Sequence, residues 1–112
     1  MGDGAASQLS DAMNRLWEKF LPQMEGRVAT LEDAAARLAS GADLTQAELG
    51  NAAADAHKLA GVLGTFGLKE GTELAREAEG LFEGVPSADA ATVARLVAIA
   101  DGLKRLIAGR RP

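Results

Sequence analysis

Apolar residues recur three and four positions apart along most of this chain. The first run is Met13, Leu16, Trp17, Phe20, Met24, Val28, Leu31, Ala35 and Leu38. That spacing keeps one face of an α-helix apolar, and it predicts a helix over about 9–39. Pro22 lies inside the run. Proline lacks the amide hydrogen and presses on the preceding turn, so it kinks or ends helices. The apolar register stays in phase across Pro22. The expectation is a kinked helix, or a short leading helix followed by a longer one from near Pro22. Unbroken, the span would reach about 45 Å at 1.5 Å per residue, longer than its partners.

Punctuation sets the other elements. Gly41 ends the first helix. Thr45 opens "TQAE", a capping box with Glu48, and starts a second helix over 45–66 that stops at Gly67. A third runs over 68–83, with Gly84 and Pro86 after it. Ser87 is the expected cap of a fourth over 88–108, which ends at Gly109. No period repeats and no linker interrupts the chain. Four helices on short connections predict one all-α domain over residues 1–112, an antiparallel four-helix bundle.

The second helix separates its faces. Leu49, Ala52, Ala56, Leu59, Leu63 and Phe66 form the seam that a bundle buries. His57 is one step, about 100°, round from Ala56. Its neighbours at three, four and seven residues are Gly50, Ala53, Ala54, Ala60, Gly61 and Gly64. All are Gly or Ala. Glycine inside a helix costs roughly 1 kcal/mol against alanine, so Gly61 and Gly64 require a reason. Close helix contact is one. Clearance for something approaching the imidazole is the other.

Composition narrows the chemistry. Apolar residues make up 47% but aromatics only 4%, a mixture of Ala, Leu and Val that suits helix packing over sheets. With no cysteine there is no disulfide, thiolate metal site or cysteine nucleophile. No secretory signal is visible, Ala6 stands where a myristoylation signal needs Ser or Thr, and no apolar run is long enough to span a bilayer. A cytoplasmic protein without membrane contact is expected. The net charge is −4, and the cationic cluster Lys104, Arg105, Arg110 and Arg111 is a short tail that reads as a frayed, solvated end. That balance argues against nucleic acid.

His57 is the only histidine. A neutral imidazole is a usable nucleophile at physiological pH. A phosphoryl group on a ring nitrogen needs in-line access for donor and acceptor, and room for three equatorial oxygens. A solvent-facing histidine with a glycine one turn on meets both needs. The competing reading is a surface histidine without a role, which the Gly and Ala surround weakens. A metal site lacks ligands, since there is no second His or any Cys. A Ser–His–Asp arrangement has no nucleophile elbow to sit on.

The stretch "AHKLAGVLGTFGLKEGTELAREAE" resembles the histidine-containing phosphotransfer (Hpt) domain family. The family pattern H-x-L-x-G, a small position and a turn into the next helix is matched by His57, Leu59, Gly61, Gly64 and Gly67. "GTFG" before an apolar residue looks like the phosphotransfer domain of chemotaxis histidine kinases. The motif covers about residues 54 to 83, and the four-helix pattern the remainder.

The resemblance implies that His57 is phosphorylated, as a phosphorelay intermediate of two-component signal transduction. It implies partners: a receiver-domain aspartate of a response regulator or hybrid kinase, or a histidine kinase catalytic domain, as donor, and a receiver aspartate as acceptor. It implies no cofactor and no metal in this chain, with Mg²⁺ on the receiver, and a phosphocarrier rather than an ATP-using enzyme. A monomer follows from the need for an open transfer face. Many members carry Lys three residues after the histidine, where this chain has Ala60; Lys58 is the expected substitute. Glu79 aligns with a carboxylate that contacts the imidazole in chemotaxis relatives. Arg76, one turn earlier and able to reach the same site, reads first as part of an ordinary charged face. The alternative function is a bundle of the same shape that binds a receiver or kinase domain without being phosphorylated.

Overall fold

In this computed structural model the structure describes residues 2–84 and 89–110, without the side chains of residues 2, 3 and 5. Four helices make up the fold: α1 Gly2–Ala39, α2 Gln46–Thr65, α3 Lys69–Glu83 and α4 Ala90–Gly109. Each packs on its neighbour in sequence and α4 closes on α1, giving an antiparallel four-helix bundle. No strand occurs among the described residues.

α1 begins at Gly2 rather than near residue 9. Of the two expectations at Pro22, one helix running through it is what the structure has, and the split is not. The missing amide leaves only the carbonyl of Glu18 unpaired. Pro22 and Glu18 are both exposed, so water can serve that oxygen. Meanwhile Trp17, Met24, Val28, Leu31 and Ala35 are buried on one face across the proline, and breaking the helix would spoil that face. The 38 residues of α1 span about 57 Å, against about 30 Å for the 20 residues of α2. Its first turns therefore project beyond the bundle, and Leu9 is exposed there. Leu16, assigned to the buried face by spacing, is exposed at the edge of that face, while its neighbour Trp17 is buried.

Local chemistry sets the other boundaries. The Thr45–Glu48 capping box is present in both directions. At the end of α2, Leu68 N–H donates to Leu63 C=O and Gly67 N–H donates to Gly64 C=O, a Schellman closure. The closure needs Gly67 at φ +74°, a conformation side chains resist. Gly41 closes α1 in the same way at φ +87°. α4 starts at Ala90, not at residue 88: Asp89 is its cap and accepts from the Thr92 amide. Ser87, the expected cap, lies outside the described residues.

The core is aliphatic and runs the length of the bundle. Leu31, Leu59, Leu63, Phe82, Leu96, Ile99 and Leu103 are almost fully buried, and no described polar side chain is buried with them. Each such side chain contributes roughly 1.5–3 kcal/mol. α2 and α3 approach most closely through small residues. A Cβ on Gly71 would stand 2.9 Å from the Leu63 Cδ1, so that glycine is a requirement of packing.

The basic tail is not simply solvated. Arg110 lays its guanidinium over Trp17, 4.7 Å from the ring centroid, and over Phe66 at 5.4 Å. Trp17 and Phe66 meet edge-to-face at 5.1 Å, which seals this end of the bundle as expected for those rings. Lys104 pairs with Glu32 and Arg105 with Asp101. Arg111 lies outside the described residues.

One surface pair has a testable pH consequence. Arg37 on α1 pairs with Glu48 on α2. The guanidinium first, and the Thr45 backbone and hydroxyl next, hold the Glu48 carboxyl at about 2, down from an ordinary 4.5. A depressed folded-state value contributes stability that is present above pH 4.5 and is lost as the pH falls toward 2. The urea midpoint of the wild type is therefore expected to drop between about pH 5 and pH 2 more steeply than that of Glu48→Gln. Parallel midpoints would contradict this assignment.

Candidate functional site

His57 stands on the face of α2 beside α3, and its side chain is 74% exposed. The core side of α2 is already filled: Ala52, Ala56, Leu59 and Leu63 are buried, and Ala53 and Ala60 join them against α3. Rotation from Ala56 carries His57 out of that contact and into solvent.

Glu79 of α3 meets it there. His57 Nδ1 lies 3.0 Å from Glu79 Oε2 and 3.2 Å from Oε1. An ionised carboxylate only accepts, so this geometry places the proton on Nδ1, with Nδ1–H donating to Glu79. The Nε2 lone pair is left free and faces away from the carboxylate. The Glu79 side chain is itself only 24% exposed, which limits where it can go.

Ion pairs fix the helices around this contact. Arg27 of α1 binds Asp55 of α2 at 2.7 Å, two residues before His57. Arg95 of α4 holds Glu77 of α3 in a paired contact, with one bond of 2.7 Å. The Arg95 guanidinium keeps the Glu77 carboxyl below the usual carboxylate range. Glu77 is thereby committed to α4, and Glu79, two residues on, faces α2.

The two glycines after His57 serve different ends. A Cβ on Gly61 would meet nothing within 4 Å, so one turn beyond the imidazole the surface is open. A Cβ on Gly64 would stand 3.3 Å from Thr72 Oγ1. Gly64 is therefore a point of close helix contact, the first of the two reasons open to these glycines. Ala53 and Ala60 are likewise contact residues. Gly50, Ala54, Gly61 and Gly64 are the exposed small residues beside His57, and of these Gly64 alone touches α3.

Lys58 is exposed but about 100° round α2 from His57, and it has no ion pair among the described residues. Thr72 was not singled out by the sequence reading. Its hydroxyl donates to the Ala60 carbonyl at 3.1 Å, one turn from His57, and pins α3 to α2. Its spacing of seven residues before Glu79 was the available signal, since that interval returns to the same helix face.

An imidazole this exposed does not sit in a pocket that could enclose a small molecule. The groove on this face, about 480 Å³, lies at Gly50, Ala53 and Phe82, a turn or more away. No group of three or more His, Cys, Asp and Glu side chains able to hold a metal occurs among the described residues. No helix among them is long and apolar enough to cross a membrane. What the arrangement offers is a fixed tautomer, a free ring nitrogen and open approach for a large partner.

Comparison with known proteins gives one match. The family model described as "Hpt domain" matches residues 15–109, which include all four helices' packed portions. No curated protein and no solved structure matches the chain.

Proposed function

Because this chain belongs to the Hpt domain family, a family of histidine phosphotransfer in two-component signalling, we propose that His57 is its phosphoryl carrier. The observation that carries this reading is the exposed imidazole held at Nδ1 by Glu79, with open space at Gly61.

The Nε2 lone pair attacks the phosphorus of a receiver aspartyl phosphate, or the terminal phosphorus of ATP held by a histidine kinase catalytic domain. The Nε2–P bond forms as the bond to the departing oxygen breaks, and the carboxylate or ADP leaves. The ring gains positive charge with its proton still on Nδ1. The Glu79 carboxylate faces that charge, stabilises it, and keeps the tautomer for the next turnover. Onward transfer is the reverse: a receiver aspartate attacks phosphorus, the P–Nε2 bond breaks, and neutral imidazole is restored.

Mg²⁺ belongs to the partner in this scheme, where it would neutralise the phosphoryl oxygens on the receiver side. ATP would likewise be held by the kinase catalytic domain, since an exposed imidazole on a helical bundle offers it no enclosing pocket. A cytoplasmic monomer fits the need for a free transfer face.

The test is phosphotransfer from a labelled, phosphorylated receiver or from a histidine kinase to the purified chain. Label that is lost in acid and stable in base marks a phosphohistidine. Label on the chain that is stable in acid, or no label from any of a panel of donors, overturns the proposal. The second of these outcomes leaves a module that docks partners without chemistry.

A further inference from the structure

We propose that Arg76 of α3 binds the oxygens of the phosphoryl group on His57, so that the site takes one half from each helix: the nitrogen from α2 and the cation from α3. This rests on His57 being the phosphorylated residue.

A phosphoryl group brings close to two negative charges, and Glu79 already places one beside the ring. A site that holds the group without a cation would repel it. Most of the described cations are committed elsewhere. Arg27, Arg37, Arg95, Lys104 and Arg105 are in ion pairs, and Arg110 is stacked on aromatic rings.

The register between α2 and α3 singles out Arg76. His57 meets Glu79, and the Ala60 carbonyl meets Thr72. Arg76 is four residues after Thr72 and three before Glu79, so it lies on the same α2-facing stripe, between two observed contacts. Its level on α3 is about 4.5 Å along the axis from Glu79, on the side toward Gly61. Across from it the Ala60 side chain is small and buried, and Gly61 carries none. At this level α2 therefore presents no long side chain. Arg76 is exposed and has no ion pair among the described residues.

The other cations without an ion pair are placed less well. Arg15 and Lys19 flank Trp17, which meets Phe66, nine residues along α2 from His57. Lys58 points about 100° away from His57 on its own helix. Lys69 is ten residues, about 15 Å, from the level of Glu79. Arg76 makes no hydrogen bond or ion pair among the described residues, so its guanidinium is free to turn to an anion. A guanidinium offers two parallel N–H donors to two phosphoryl oxygens, which an ammonium does not.

The experiment uses phosphoramidate, a small donor with no docking surface of its own. Nε2 attacks its phosphorus, the donor P–N bond breaks and ammonia leaves. Arg76→Ala is expected to slow labelling of His57 by roughly tenfold, the effect of one charge-assisted pair. Arg76→Lys should recover part of the loss, and Lys58→Ala should stay within about twofold of wild type. Melting temperature should be unchanged in all three, since no described pair is broken. Wild-type rates in Arg76→Ala, or a larger loss in Lys58→Ala, overturn the proposal. So does a loss seen only with a protein donor, which would make Arg76 a docking residue. A wild-type chain that phosphoramidate does not label at His57 would overturn the carrier reading itself, and this inference with it.

Discussion

A His57→Gln chain is expected to accept no label from a phosphorylated receiver, a loss of roughly a thousandfold or more, while melting as the wild type does. Glutamine keeps a polar group of similar reach but has no lone pair at nitrogen to attack phosphorus. Removing a nucleophile abolishes the step outright rather than weakening it. Stability should hold because the side chain is 74% exposed and its one contact is a surface pair with Glu79. Such pairs are worth about 0–1 kcal/mol. Paired transfer and thermal-denaturation measurements check both halves. Label persisting in His57→Gln would place the chemistry elsewhere in the chain.

Gly61→Leu should separate stability from transfer in the opposite direction. A Cβ at Gly61 meets nothing within 4 Å, so the helix can carry a side chain there without a clash. Replacing a helical glycine by a good helix former stabilises by up to about 1 kcal/mol. The chain should melt at or above the wild-type temperature. The leucine would nevertheless stand one turn from His57, in the space that donor and acceptor must enter in line. Displacing reacting groups by about 1 Å can cost a hundredfold, and a loss of at least that size is expected in transfer from a receiver. Circular dichroism and transfer kinetics on one sample decide it. A stable Gly61→Leu chain that transfers at the wild-type rate would show that the open surface is not an access lane. Gly64 offers no such separation, because its Cβ would press on Thr72.

What the sequence made legible is what is decided locally. The capping box at Thr45, the left-handed closures at Gly41 and Gly67, and the seam through Leu59 and Leu63 are written in a few adjacent residues each. His57 could be placed off the seam by rotation alone. Glu79 was reached through family resemblance, and the structure sets it 3.0 Å from the imidazole. Properties that depend on which residues face each other across helices were not legible. Periodicity cannot tell Gly61 from Gly64: both are exposed, but only Gly64 also touches a threonine of α3. It also assigned Leu16 to the core, because the pattern does not record where the edge of the buried face falls between Leu16 and Trp17. Pro22 left a kinked helix and a split one both open because its penalty is local, whereas the buried face that keeps α1 in one piece lies on both sides of it. Arg110 looked like a solvated tail because its ring partners, Trp17 and Phe66, come from distant parts of the chain.

Nitrogen-15 NMR of the chain labelled at its single histidine, recorded before and after phosphorylation by a receiver, reads directly whether His57 carries the phosphoryl group on Nε2 while Glu79 holds the proton at Nδ1. Phosphorus coupled to Nε2 and a proton on Nδ1 in both states are expected. Phosphorus on Nδ1, or a histidine spectrum unchanged by a chain that has demonstrably taken up phosphate, would contradict this reading.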